Sequence, residues 1–335
     1  MIDKKYVLLQ SDFKKMKLFY SKILLFGEYG IIKNSKGLAI PYNFYKGTLK
    51  TLAEVEAECE PNGQKREDAH KSNEALKAFA SHLQTLTNEA NPIVRFNIEK
   101  LNADIADGMY FDSSIPQGYG VGSSGALVAA IYSEYAIDPI SAIDDLTREK
   151  LLQLKAIFGR MESFFHGTSS GLDPLNSYLS LPILINSYDN IEPTGIPTQT
   201  PDGKGAVFLL DSGIIGETAP MVHIFMENMK NEAFQKMLKE EFIKYTDACI
   251  DDFLKGRFKS LFGNIKSLSS IVLNHFKPMI PKEFHTLWKQ GIDTGDYFLK
   301  LCGSGGGGYI LGFTEDLEKA KRTLAGHKLE VVYQF

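Results

Sequence analysis

Three stretches of this sequence hold residue types whose spacing suits chemistry on a phosphorylated ligand. The first is Pro116-Gln-Gly-Tyr-Gly-Val-Gly-Ser-Ser-Gly125, which runs directly into an alanine-rich apolar segment. Glycines at 118, 120, 122 and 125 let a backbone bend tightly and present its N–H groups to an anion, and a helix N-terminus behind them adds partial positive charge. Ser123 and Ser124 place hydroxyls where a phosphate or its magnesium ion would sit. The second is Glu162-Ser-Phe-Phe-His-Gly-Thr-Ser-Ser-Gly-Leu-Asp173, a small-residue loop with a carboxylate at each end. Taken alone, Asp173 followed by Pro174 also fits a turn or a helix cap, and His166 also fits a structural role. The third is Lys300-Leu-Cys-Gly-Ser-Gly-Gly-Gly-Gly308. Four consecutive glycines ahead of a buried strand carry a conformational-entropy cost that only a need for close backbone approach explains.

Positioning these groups requires a mixed α and β chain. Ser123–Ala136 is expected to be a buried helix whose N-terminus faces the first glycine loop, and Arg148–Phe165 a helix with Leu151, Leu154, Phe158, Met161 and Phe165 on one face. Ser72 to Thr87 is an expected amphipathic helix, capped by Ser72, with Leu76, Phe79, Ala80, Leu83 and Leu86 inward. Ile23–Phe26 and Gly30–Ile32 are expected strand pieces around a turn, and Val94, Phe96 and Ile98 alternate as a strand does. Glu54–His70 is expected to be a loop with a turn at Pro61-Asn62-Gly63. The pattern is strand-like from Tyr178 through Ile185. Asn186–Lys204 is polar and proline-rich, which places a domain boundary there, with domains at 1–195 and 196–335. Strands at Ala206–Leu210, Tyr309–Phe313 and Leu329–Tyr333 follow, with helices filling Thr218 to Lys300 and one more near Glu315–Leu324.

Composition narrows the class. Hydrophobic residues form 44% of the 335 residues, enough for a substantial core. The 37 basic and 41 acidic residues nearly balance, which argues against a nucleic-acid binder. Cys59, Cys249 and Cys302 are odd in number and widely spaced, a poor fit to disulfides or to a zinc site, so a reducing cytoplasm is expected. No apolar run reaches the roughly 18 residues of a membrane span, and Ile23–Phe26 is too short for a signal sequence.

Glycines 120, 122 and 125, and again 303, 305 and 308, satisfy the spacing of a dinucleotide fingerprint. The context disagrees. Ser113 to Gln117 separate the first match from any preceding strand, and the second match precedes a strand where a helix is needed. No Lys-Ser or Lys-Thr follows either run, so the Walker phosphate loop is absent as well.

In this order, the segments resemble the superfamily of small-molecule kinases named for galactokinase, homoserine kinase, mevalonate kinase and phosphomevalonate kinase. Lys22-Ile-Leu-Leu-Phe-Gly-Glu-Tyr29 is similar to its first motif, Pro116–Ser124 to its second and Gly303–Gly308 to its third. Within it, His166-Gly-Thr-Ser-Ser-Gly-Leu-Asp173 resembles the His-Gly-x-Pro-Ser-Gly-x-Asp signature of the mevalonate kinases. Asp211-Ser-Gly213 with Thr218 resembles their substrate-site segment.

The resemblance implies an α+β fold of two domains, a ribosomal-protein-like N-terminal domain with left-handed βαβ features and a ferredoxin-like C-terminal one. It implies transfer of the γ-phosphoryl group of ATP to the primary hydroxyl of mevalonate, a step towards isoprenoids. By it, Asp173 and Lys22 are catalytic, and Pro116, Gly118, Gly120, Val121, Gly122, Ser123, Ser124 and Gly125 bind ATP. Ser124 and Glu162 hold Mg2+. Lys22, Glu28, Tyr29, His166, Ser170, Asp173, Thr218 and Gly305 line the acceptor. Neither nucleic acid nor membrane is an expected partner, and a homodimer is allowed for. Five positions depart from the pattern. Tyr29 replaces the usual histidine, as in the phosphomevalonate enzymes. Ser169 replaces proline, Gly125 replaces alanine, and Cys302 and Ser304 replace threonine and alanine in the third motif. The first bears on the acceptor, the others on loop stiffness. A phosphomevalonate kinase, a related decarboxylase, a dinucleotide oxidoreductase and an inactive binding protein on the same fold stay open.

Overall fold

A computed structural model describes residues 17–58, 63–143, 146–187 and 189–335. Cys59 and the turn expected at Pro61-Asn62 lie outside the described residues.

The first sheet is built around one long strand. β1 (Phe19–Phe26) and β2 (Gly37–Thr51) pair antiparallel, with Gly47 opposite Phe19 and Leu38 opposite Phe26. Gly47 also pairs with Ser113 of β3 (Met109–Ser113), and Leu38 also pairs with Leu184 of β4 (Ile183–Ser187). A strand has two edges, so β3 and β4 occupy different stretches of the edge opposite β1 and run in the same direction. β5 (Asn190–Pro193) adds to β4 as an antiparallel edge.

Helices fill the intervals: α1 (Leu52–Glu58), α2 (Gln64–Thr87), α3 (Ile98–Ala106), α4 (Ser123–Tyr135), α5 (Arg148–His166) and α6 (Leu172–Leu179). The last three form the crossover from β3 to β4. α4 is buried on almost every side, and α5 turns Leu151, Leu154, Phe158 and Met161 inward as its spacing predicts. Phe165 remains partly exposed.

The second sheet has strand order β7 (Phe298–Leu301), β8 (Tyr309–Thr314), β6 (Ala206–Asp211), β9 (Leu329–Gln334), with every pair antiparallel. Between β6 and β7 lie α7 (Thr218–Asn228), α8 (Glu232–Met237), α9 (Ile243–Leu254), α10 (Phe258–His275) and α11 (His285–Thr294). α12 (Leu317–Thr323) connects β8 to β9. This is a β-α-β-β-α-β split with its helical layer expanded, the ferredoxin-like arrangement. The core does not divide at the expected boundary: one continuous apolar cluster includes Ile23, Phe26 and Ala129 together with Phe208, Phe276 and Leu311. A second lies under α2 to α6 and includes Phe79, Leu83, Tyr132 and Phe158. Among the described residues, no helix is long and apolar enough to cross a membrane.

Several local expectations are corrected. Gly30–Lys33 is a 3-10 turn and not a strand, because Tyr29 at φ 60° reverses the chain at the end of β1. Ile98 opens α3, capped by the Asn97 side chain, and only Phe96 makes a bridge, to Ala136. Leu52–Glu58 and the first turns of α2 are helical where a loop is expected. Ser72 lies inside α2, where its hydroxyl bonds the backbone of Phe111 at 3.0 Å and is not a cap. Tyr178 ends a helix, so the strand begins only at Ile183. Lys300 lies in strand β7, beyond α11, the last of the helices between β6 and β7.

Candidate active site

β1 delivers Lys22 to the site. The strand is buried on both faces, and the Lys22 residue is only 4% exposed, so its ammonium requires a partner. Asp173 provides it, with Nζ to Oδ1 at 2.9 Å; the carboxylate is 38% exposed. Burial opposes the charge on Lys22, but the charge and hydrogen bond of Asp173 outweigh it and hold the ammonium above its ordinary pKa. Asp173 sits in the first turn of α6, where a carboxylate is favoured by the helix dipole.

The first glycine loop is tied to the same strand. Lys22 N–H donates to the Val121 carbonyl at 3.0 Å. Gly122 adopts φ +80° as it enters α4, and a Cβ there would lie 3.0 Å from Lys22 Cγ, so both conformation and space demand glycine. The first α4 ladder bond runs from Ala126 N–H to the Gly122 carbonyl at 3.1 Å. The N–H groups of Ser123, Ser124 and Gly125 are those a helix start leaves without an internal acceptor, an arrangement suited to an anion. Pro116 and Gly118 lead into it, the Gly118 carbonyl accepting from Gly216 N–H at 2.9 Å.

Ser124 joins the loop to α5. Its hydroxyl donates to Glu162 Oε1 at 2.9 Å and lies 3.1 Å from His166 Nε2. Ser169 donates to the other oxygen, Glu162 Oε2, and accepts from Gly171 N–H at 3.0 Å. Glu162 is 3% exposed; burial first, and then the charge of Asp173, push its carboxyl up to about 7. A carboxylate so enclosed and fed by two hydroxyls suits a cation. Among the described residues, no three His, Cys, Asp or Glu cluster to hold a metal alone.

The remaining expected residues form a band beside this centre. Glu28 is buried against Lys300, Nζ to Oε1 2.6 Å. Burial raises the Glu28 carboxyl, offset in part by Lys300. Tyr29 packs on Phe225 and Phe276 and donates its hydroxyl to the Ser304 carbonyl at 2.7 Å. The Ser304 hydroxyl is 3.3 Å from that of the exposed Thr218. Gly305 packs with its Cα against the Met279 carbonyl. Ser170 is exposed, and its hydroxyl accepts from Leu172 N–H at 3.4 Å at the start of α6. The third glycine stretch is the hairpin joining β7 to β8, and it backs directly onto the first: a Cβ on Gly120 would lie 2.6 Å from the Cys302 carbonyl. The second glycine run lies in a hairpin, and the strands flanking the first, β3 and β4, each pair antiparallel with β2 and not with one another, so neither run sits in the parallel sheet of a dinucleotide site.

Lys300 and Ser169 are the residues that the sequence understates. Lys300 interrupts the apolar run Tyr297–Cys302, and a lysine in a buried strand signals a buried partner. Ser169 is visible only as a departure from proline, with nothing to show that its hydroxyl holds Glu162. Gly125 is more than a matter of loop stiffness, because it lies against the backbone of Asp173.

Residues 75–180 match the family model of the GHMP kinases N terminal domain. The fold of the chain is similar to that of L. major mevalonate kinase in complex with R-mevalonate, at 14% identity over 96% of each chain and a TM-score of 0.60. It is similar to the Methanococcus jannaschii mevalonate kinase, at 17% identity over 96% of this chain and 98% of that one, TM-score 0.56. It is also similar to Streptococcus pneumoniae phosphomevalonate kinase in complex with phosphomevalonate and AMPPNP, at 12% identity over 95% and 99%, TM-score 0.60. No curated protein matches the chain in sequence.

Proposed function

We propose that the protein is an ATP-dependent kinase that phosphorylates the primary hydroxyl of mevalonate, giving 5-phosphomevalonate and ADP. The observation that carries this is the convergence of a buried Lys22–Asp173 pair with the Ser124–Glu162 pair at the start of α4. The acceptor oxygen forms a bond to the γ-phosphorus as the bond from that phosphorus to the β-bridging oxygen breaks, and the hydroxyl proton leaves to Asp173. Such transfer asks for positioning and charge neutralisation more than covalent chemistry. Ser124 and Glu162 would hold Mg2+, which supplies positive charge against the phosphate oxygens. Lys22 orients Asp173 and adds charge beside the transferred group. The N–H groups at 123–125 receive phosphate oxygens, and the glycine loop admits them closely. His166 and Ser170 border the mouth of the site, and Thr218 and Gly305 its far wall. We place the domain boundary at 195/196, between β5 and β6.

Phosphomevalonate is the second acceptor to test. Tyr29 carries this alternative, standing where mevalonate kinases have histidine, and the fold matches the two kinds of enzyme equally well. A coupled ADP-release assay on purified protein with mevalonate, phosphomevalonate, homoserine and galactose decides. Brisk turnover of mevalonate is expected, and turnover of another member without mevalonate reassigns the acceptor.

A further inference from the structure

Glu28 and Lys300 form a second buried ion pair, which the proposed chemistry leaves unused. Their side chains are 6% and 4% exposed, they lie 272 residues apart in sequence, and they meet at 2.6 Å. The ammonium also donates to the Leu301 carbonyl at 2.8 Å and lies 5.9 Å from the Phe26 ring centroid. The pair faces inward: the small cavity beside it is lined by Phe242, Thr246, Leu268 and Val272 of the C-terminal helices.

Burying two charges gains little over packing apolar residues in the same space, and strand β7 is otherwise apolar. A contribution to stability therefore does not account for the pair, but geometry does. Glu28 lies in the first motif, two residues past the strand that carries Lys22. Lys300 lies three residues before the third motif, whose hairpin supports the phosphate loop at Gly120. Next to Glu28, Tyr29 holds φ 60°, a conformation unfavourable for a bulky residue, and is fastened to the same hairpin through Ser304.

Building on the proposed kinase function, we propose that Lys300 is a positioning residue: its ion pair with Glu28 sets β1, and with it Lys22 and Asp173, at a fixed distance from the hairpin that supports the phosphate loop. Glu28 is then occupied by Lys300 and is not a ligand of the acceptor. Misplacement of a reacting group by about an ångström costs up to roughly a hundredfold in rate. Loss of the pair should act on the chemical step and leave acceptor binding alone.

The test is steady-state kinetics with urea denaturation on Glu28→Gln, Lys300→Met and the double variant. Lys300→Met alone leaves a buried carboxylate unpaired and should lower stability. The double variant removes both charges and should recover most of that loss, yet keep kcat at least about tenfold below wild type, with the acceptor KM within about twofold. Wild-type kcat in the folded double variant would overturn the inference, since the pair would then only pack. A large rise in acceptor KM with kcat kept would overturn it too, by making Glu28 a ligand. Should the lysine variants fail to fold, Glu28→Gln, which keeps the shape of the side chain, is read by the same criteria. A folded wild type inactive on all four acceptors would remove the kinase function and this inference together, an outcome distinct from an active wild type with unaffected variants.

Discussion

Gly125 and Asp173 touch through their backbones: a Cβ placed on Gly125 would stand 2.8 Å from the Asp173 carbonyl carbon and 3.0 Å from its Cβ. The helix proposed to receive phosphate and the helix that carries the carboxylate are thus set as close as a glycine permits. Gly125→Ala must push the start of α6 outward, at a cost of about 1–3 kcal/mol for overpacking. Expected is a fall in kcat of at least about tenfold with the ATP KM little changed, from initial rates at varied ATP.

Asp173→Asn and Lys22→Met are each expected to lower turnover at least about a hundredfold, the scale of a positioned acid–base group. Folded variants with near-normal rates, checked by circular dichroism, would exclude both residues from the mechanism.

Stability should depend on pH through Glu162. Its carboxyl is raised in the folded protein to about 7 from an ordinary 4.5, so the folded state binds the extra proton between those values. Stability then falls as pH rises through that window, by on the order of 2 kcal/mol from this group. Urea midpoints of the nucleotide-free protein at pH 5 and pH 8, compared with Glu162→Gln, isolate the effect. The variant should show a smaller fall. An identical slope would mean that Glu162 is already ionised at pH 5.

Tyr29→Phe removes the hydrogen bond to Ser304 and leaves the ring packing on Phe225 and Phe276 intact. A loss of about 1 kcal/mol is expected, with faster amide exchange across residues 303–308. Unchanged exchange there would show that the hairpin is held without Tyr29.

Thr246 on α9 has a buried hydroxyl with no hydrogen-bond partner among the described residues. Thr246→Val keeps the shape and deletes the orphan group, so thermal unfolding should show up to about 1 kcal/mol of added stability. A clear loss would reveal a bound water on that hydroxyl.

The sequence shows best what depends on local spacing. The apolar faces of α2 and α5 and the glycines ahead of α4 and β8 are periodic or compositional, so they appear directly. The candidate-site residues Lys22, Ser124, Glu162 and Asp173 are picked out by motif order, and the structure pairs Lys22 with Asp173 and Ser124 with Glu162. Segments 54–58 and 64–70 are misjudged as loop because their apolar anchors are few and isolated, Val55 and Ala69 meeting only in a small cluster with Tyr110, and α2 is anchored in part by Asn73, whose amide bonds the carbonyls of Ile105 and Met109 at 2.9 and 2.6 Å. Periodicity counts such a residue as solvent-facing. The turn ending at Tyr29 is legible, but the 3-10 segment Gly30–Lys33 that follows it escapes because it depends on a positive φ at Tyr29, which no propensity favours. Lys300 and Ser169 escape because their meaning lies in partners far along the chain or in a single hydroxyl.

The glycine-rich hairpin between β7 and β8 has one further consequence. Gly303 abuts Gly120, Gly306 N–H bonds the Met279 carbonyl at 2.7 Å, and Gly308 N–H bonds the Ile214 carbonyl at 2.6 Å. In isolation this would be the most pliable stretch of the polypeptide. Wedged on three sides, it loses that freedom, and any added side chain must displace a neighbouring segment together with it. Damage at a single glycine would therefore spread as misassembly of the whole nucleotide face and would not stay a local loosening.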